Sequence, residues 1–205
     1  MEPRIVVVVV NFNAGSALTE CIHSVYAQDE AARLTVVDNA STDGSADEVE
    51  KVFGQRDGFR MVRNVKNLGF AAAVNHGVEA EQSVAPYLLI LKPDCVLREG
   101  ALPRLCEALA GDSGAGLPGP RVLESDGQPA RASLRRFPDP WRSLLTFSGL
   151  WRLGRHAAVF EGVEAAGELP DETSTAEAVS GACMLLKRSV FDDLGGLDEG
   201  YGLHC

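Results

Sequence analysis

Ile5-Val6-Val7-Val8-Val9-Val10 is an unbroken apolar run in which every side chain branches at Cβ. A strand with one wetted face alternates apolar and polar residues. A strand with no polar position must be covered on both faces, as in a parallel sheet layered between helices. The run is far too short to cross a bilayer, and no signal-peptide cleavage region accompanies it. It asks for an α/β fold with helices on both sides of a sheet.

The residues that follow supply those helices. Leu18, Cys21, Ile22, Val25 and Tyr26 recur at helical spacing, and Leu34-Thr35-Val36-Val37 reads as a second strand. Ala46, Val49, Val52 and Phe53 mark a short amphipathic helix, and Met61-Val62 a brief third strand. Ala71, Val74 and Val78 line a helix, Tyr87 to Leu91 is a fourth strand, and Leu102, Leu105, Cys106 and Leu109 line the next helix. Such alternation predicts a mostly parallel, doubly wound, Rossmann-like sheet. The pattern changes after residue 110. Gly111 to Ala130 is rich in Gly and Pro, with short strands expected near Leu117 and Val122. Glu161 to Glu177 is acidic and loop-like. Ala182-Cys183-Met184-Leu185-Leu186 is a late buried strand, followed by a short helix through Phe191 and Leu194.

The formal net charge of -10 over 205 residues argues against a nucleic-acid partner, whose binders are basic. An anionic small ligand stays open, because it needs only local positive potential. The five cysteines are odd in number and form no C-x-x-C pair. They suggest neither a zinc site nor a disulfide framework and favour a reducing, cytoplasmic compartment.

In doubly wound sheets, ligands bind beyond the carboxyl ends of the strands. After the first strand comes Asn11-Phe12-Asn13-Ala14-Gly15-Ser16, with one glycine where a dinucleotide-binding turn has G-x-G-x-x-G. A nucleotidyltransferase would carry a Gly-rich, basic loop here, and this turn has neither. Asn11 and Asn13 are read either as turn and cap residues or as ligand contacts. After the second strand, Asp38 either accepts the imide N–H of a uracil or thymine ring or closes an Asx-turn. Asp43 is expected to cap the helix after it. Asn67-Leu68-Gly69-Phe70-Ala71-Ala72-Ala73 opens a helix with small residues, which suits close approach of an anion to its N-terminus and equally suits tight packing on the sheet. His76 reads as a surface or capped residue. After the fourth strand, Lys92-Pro93-Asp94 offers one carboxylate that either holds Mg²⁺ or Mn²⁺ or shapes a turn.

Taken in order, these segments resemble the family-2 glycosyltransferases, most of all their bacterial rhamnosyltransferase-like branch. The resemblance is carried by Val9-Val10-Asn11-Phe12-Asn13, Val37-Asp38-Asn39-Ala40-Ser41-Thr42-Asp43-Gly44-Ser45, Asn67-Leu68-Gly69-Phe70-Ala71, Leu91-Lys92-Pro93-Asp94, Ser180-Gly181-Ala182-Cys183-Met184 and Gly195-Gly196-Leu197-Asp198-Glu199. It implies a GT-A fold and inverting transfer from a nucleoside-diphosphate-sugar, dTDP-rhamnose or a UDP-sugar, to a cell-surface saccharide or lipid-linked acceptor. It assigns Asn11, Asn13, Asp38, Asn67, Gly69 and Asp94 to the nucleotide, Asp94 also to Mg²⁺ or Mn²⁺, and Ser180, Gly181 and Ala182 to donor sugar or acceptor. Residues 1–110 become the nucleotide-sugar half and residues 111–205 the donor and acceptor side of the same compact domain.

The sequence departs from that family at three places. Cys95-Val96 stands where a full D-x-D motif has its second carboxylate, and Lys92 where the family often has Asn. The branch's usual base, in a Glu-Asp pair, is expected beyond Cys205, so the reading is of a C-terminally truncated chain. Asp198 and Glu199 are read as structural. A catalytically inactive nucleotide-sugar-binding or partner module is the alternative.

Between Arg131 and Arg155 lie six arginines and one acid, Asp139, with Trp141, Leu144, Leu145, Phe147, Leu150 and Trp151 at roughly helical spacing. This basic flap (131–155) is read either as a peripheral contact with the inner face of the cell membrane or a lipid-diphosphate acceptor, or as a helix packed on the core with solvated arginines.

Overall fold

The structure is a computed structural model, and it describes residues 5–28, 32–81, 83, 85–112, 114–124, 126–130, 133–135, 137, 139–150, 163 and 173–200. The chain divides into two compact units, residues 1–118 with 182–205 and residues 119–181.

The first unit is built on β1 (Ile5–Asn11), which is buried at every position. Around it the chain runs α1 (Ala17–Gln28), β2 (Arg33–Asp38), α2 (Ser45–Phe53), β3 (Phe59–Arg63), α3 (Phe70–Ala80), β4 (Tyr87–Leu91) and α4 (Ala101–Gly111). With a late strand, β7 (Cys183–Lys187), the sheet order is β3-β2-β1-β4-β7. The first four strands are parallel, and β7 closes one edge antiparallel to β4. Helix α6 (Arg188–Asp193) follows β7. This is the mostly parallel α/β sheet expected from the sequence, with one antiparallel edge.

The uninterrupted valine run is explained by two cores. Ile5, Val7 and Val9 pack with Leu18, Ile22, Val49, Phe53 and Leu105 from α1, α2 and α4. Val6, Val8 and Val10 pack with Ala73, Val74, Val78 and Phe191 from α3 and α6. Alternate residues of a strand point to opposite faces, so each face of β1 has its own helix layer. Gly77 sets how closely α3 lies on the sheet: a Cβ there would come within 2.7 Å of Val37 Cγ2 and 2.9 Å of Val8 Cγ1.

Several local expectations need correction. Val52 is 54% exposed, so the apolar stripe of α2 is carried by Ala46, Val49 and Phe53. Asp43 is not the cap of α2; Gly44, in the left-handed region at φ 81°, holds that position. Leu117 lies in no strand, and near Val122 the described residues form only an isolated bridge between Leu123 and Pro129.

In the second unit, β5 (Leu134–Arg135) pairs antiparallel with β6 (Ala178–Val179), and α5 (Pro140–Ser148) is capped by Asp139, whose Oδ1 accepts from Arg142 N at 2.8 Å. Leu145 is buried, whereas Trp141, Leu144 and Phe147 are exposed. Much of the expected acidic loop, together with Trp151 and Arg155 of the basic segment, falls outside the described residues.

Candidate functional site

The chain passes from β1 out to β2 and β3 on one side, then crosses to β4 on the other. The carboxyl ends of β1 and β4 therefore flank the point where winding reverses, the place where open α/β sheets leave a crevice. A cleft of about 160 Å³ lies there, lined by Val10, Phe12, Ala14, Phe70, Lys92 and Asp94. A larger hollow of about 380 Å³, lined by Ile5, Tyr87, Leu102, Cys106 and Glu107, opens at the amino ends of β1 and β4. We favour the smaller cleft because of its place in the topology and its pair of charged groups.

Asp94 is exposed, on the Lys92–Cys95 turn. That turn is fixed by its backbone: Lys92 N donates to Ala182 O at 2.9 Å, and Cys95 N donates to Lys92 O at 3.1 Å. From below, Cys21 Sγ donates to Lys92 O at 3.5 Å. Burial pushes the Cys21 and Cys95 thiols up, Cys95 to about 11, and the charge on Asp94 adds to both. Burial likewise pushes Cys183 up to about 12. These thiols are packing groups rather than nucleophiles.

Asp38 ends β2 and pairs in register with Asn11 of β1. It is only 4% exposed. Its Oδ1 accepts from Asn11 Nδ2 at 2.9 Å. Among the described residues its Oδ2 has no hydrogen-bond partner, and it is not one of the atoms sealed from solvent. Asn11 is fully buried; its Nδ2 also lies 3.1 Å from Ser41 Oγ and 2.9 Å from Ser45 Oγ. Asn13 is turned outward, with its Oδ1 accepting from Thr42 N at 2.8 Å. Asp43 bridges the same two loops, accepting from Gly15 N at 2.8 Å and Ser45 N at 3.0 Å. Hydrogen bonds from Ser45, the side-chain hydroxyl first, hold its carboxyl below the usual carboxylate range.

Asn67 Oδ1 accepts from Gly69 N at 2.8 Å and from Asn39 Nδ2 at 2.7 Å. Gly69, at φ 83° and ψ 169°, caps α3 in a region essentially reserved for glycine. A Cβ there would touch nothing within 4 Å, so its backbone angles, not its neighbours, require glycine. Asn39 is a residue that sequence reasoning left unassigned. It is fully buried and also binds Leu68 N (3.0 Å) and Asn64 Nδ2 (3.1 Å) through its Oδ1. The signal was an amide directly after a strand-end acid. His76 is exposed, with Nδ1 2.8 Å from Asn64 Oδ1.

Asn13 and Ala40 are the two non-glycine residues with positive φ among the described residues, at 55° and 66°. Both lie in the loops after β1 and β2. Backbone strain of this kind collects where loop shape serves a ligand.

The structure thus brings Asn11, Asn13, Asp38, Asn67, Gly69 and Asp94 to one edge of the sheet. Ala182 precedes β7 in the first unit, and Ser180 and Gly181 belong to the second. Asp198 Oδ1 accepts from Gly200 N at 2.8 Å and shapes its own loop, whereas Glu199 Oε1 accepts from Asn75 Nδ2 at 2.9 Å and ties that loop to α3. Among the described residues, no three His, Cys, Asp or Glu side chains converge as a metal cage. Asp94 alone still suits Mg²⁺ or Mn²⁺ when substrate phosphates and water complete the shell, since such ions are often held by one or two carboxylates.

A family model described as "Glycosyl transferase family 2" matches residues 6–195. N-acetylglucosaminyl-diphospho-decaprenol L-rhamnosyltransferase of Mycobacterium tuberculosis (strain ATCC 25618 / H37Rv) is 26% identical over 210 residues, which cover 97% of this chain and 66% of that protein. Among solved structures, the mannosyltransferase PcManGT from Pyrobaculum calidifontis in complex with GDP-Man and Mn²⁺ gives a TM-score of 0.63 at 20% identity, covering 98% of this chain and 49% of the other. S. aureus TarS 1-349 gives 0.61 at 16% identity, covering 97% and 51%. At such identities the likeness to solved structures speaks to the fold. The chain spans 66% of the length of the curated rhamnosyltransferase and 49% of the mannosyltransferase chain.

Proposed function

The chain belongs to glycosyl transferase family 2, and from that premise we propose that it binds a nucleoside-diphosphate-sugar and passes the sugar, with inversion, to a saccharide or lipid-linked acceptor. The observation that carries this reading is the cleft at the β1–β4 switch point, with Asp94 at its rim and Asp38 one strand beyond β1.

The strand spacing puts β2 and β4 roughly 10 Å apart, so one extended ligand reaches from one acid to the other. Asp38 Oδ2 accepts the imide N–H of a pyrimidine, while Asn11 holds the opposite oxygen and fixes the carboxylate's orientation. Asn13, Asn67 and Gly69 shape the walls, and the first-turn amides of α3 face the diphosphate. A Mg²⁺ or Mn²⁺ at Asp94 would offset the charge gathering on the departing diphosphate. The acceptor oxygen then attacks the anomeric carbon from the opposite side and loses its proton to a base, with Ala182 at the sugar and acceptor. A dTDP- or UDP-linked sugar is the donor class, in keeping with the single oriented acceptor that Asp38 offers an imide N–H.

The exposed Trp141, Leu144 and Phe147 of α5, set in an Arg-rich stretch, fit a peripheral contact with anionic lipid. Among the described residues, no helix is long and apolar enough to cross a membrane.

Calorimetric titration with UDP, dTDP and GDP, with Mn²⁺ and with a chelator, tests the donor site. Binding by the parent that strengthens with Mn²⁺, and an Asp94→Ala variant that loses the Mn²⁺ increment, are expected. Failure of the parent to bind any of the three would overturn the reading.

A further inference from the structure

Resting on the donor-site reading above, we propose that Lys92 is a built-in counter-charge for the donor's diphosphate, supplying from the protein part of the positive charge that a second metal-holding carboxylate would otherwise recruit. Lys92 and Asp94 line the same cleft. The two side chains carry opposite charge, yet neither takes part in a salt bridge or a side-chain hydrogen bond among the described residues. Elsewhere on this molecule such groups close on one another, as Arg33 does on Glu81 at 2.9 Å and Arg188 on Asp192 at 2.9 Å. An unclosed pair facing one crevice suits a ligand that carries both an anionic and a cationic end: phosphate oxygens toward the ammonium, a bound cation toward the carboxylate.

The base of Lys92 is immobilised by the strand-end bonds described above. Its N–H is spent on Ala182 O, and its carbonyl receives Cys95 N and Cys21 Sγ. With the backbone pinned on both sides of the peptide, only the side chain is left to order when an anion arrives, which lowers the entropic cost of the contact. The position two residues after Asp94, where a second acid would help hold an ion, is Val96, 57% exposed. The chain thus has a lysine before the acid and no carboxylate after it. Both features move the balance of diphosphate recognition from a metal toward a fixed ammonium.

The consequence is measurable as binding, independent of turnover. UDP or dTDP is titrated into the parent, Lys92→Gln, Lys92→Arg and Asp94→Asn, each in excess chelator and in Mn²⁺, at low and high salt. The parent is expected to bind in chelator, with an affinity that falls as salt rises. Lys92→Gln should lose roughly tenfold of that metal-free affinity, the worth of one charge-assisted hydrogen bond, and much of its salt dependence. Lys92→Arg should retain most of both. Asp94→Asn should keep metal-free binding and lose the Mn²⁺ increment. Equal metal-free affinity in parent and Lys92→Gln overturns the role of Lys92 while leaving the donor site standing, provided the parent binds with Mn²⁺. A parent that binds only with Mn²⁺ also overturns it. A parent that binds under neither condition overturns both readings together. Far-ultraviolet circular dichroism and melting of each variant show that the comparisons are made on folded protein.

Discussion

At the scale of single residues, the rim of this sheet is organised by amides as much as by acids. Asn11 fixes one oxygen of Asp38, and Asn39 ties the end of β2 to the loop that starts α3. A carboxylate with one oxygen held and the other free offers a single, oriented acceptor, which is the geometry an imide donor needs. Asp38→Ala should therefore weaken UDP and dTDP by roughly tenfold or more while changing GDP less, as calorimetry would register. Equal losses for all three nucleotides would remove base reading from Asp38. The sequence pointed to Asn11 and Asp38 by their place after each strand, but it left open whether they met ligand or protein. That question depends on partners 27 to 34 residues away, as with Asn11 and its bonds to Asp38 and Ser45, and no local pattern encodes it.

At the scale of elements, β1 was the most legible part of the chain because both-sided burial leaves a sequence signature that one-sided burial does not. Val52 is exposed because its neighbour Phe53 takes the inward place, and apolar spacing alone does not say which of two adjacent apolar residues faces the core. The cap of α2 was misplaced because Asp43 satisfies Ser45 N from one position further out, across a glycine turn. The strands expected near Leu117 and Val122 fall in a stretch whose Gly and Pro break the ladder. A further joint lies between α3 and the loop after α6. Asn75 Nδ2 donates to Leu197 O at 2.9 Å, and its Oδ1 accepts from Leu197 N at 2.8 Å. Gly196 fits against it with no room for a Cβ, which would lie 2.7 Å from Asn75 Oδ1. Asn75→Ala should cost about 1–3 kcal/mol, read as a lower urea midpoint with unchanged slope.

The thiols under the Lys92–Cys95 turn give the same element a pH dependence. Cys183 and Cys95 have folded values raised to about 12 and about 11 from 9.0, and Cys21 is raised further by its burial. Above pH 9 the unfolded chain releases protons that the folded chain keeps, so the stability these groups contribute is present below that pH and drains away as pH climbs toward 11 and 12. Melting temperature should fall over that window, and Cys183→Ala should flatten the fall after its own packing loss is allowed for. A pH profile of the same steepness in Cys183→Ala would contradict this.

At the scale of the whole molecule, an acidic chain can take an anion where local arrangement supplies positive potential. The sheet directs the ends of β1, β2 and β4 to one edge, where Phe70 of α3, Lys92 and Asp94 line the cleft and Asp38 ends the strand on the far side of β1. Family membership agrees with that architecture, and the larger hollow at the opposite end of β1 and β4, where Glu107 is the one charged lining residue, is the competing location. Amide chemical-shift mapping by NMR during titration with UDP or dTDP and Mn²⁺ separates the two. The account predicts that the largest shifts gather at Phe12, Asp38, Phe70, Lys92 and Asp94. Shifts centred instead on Leu102, Cys106 and Glu107, with those five unmoved, would contradict it.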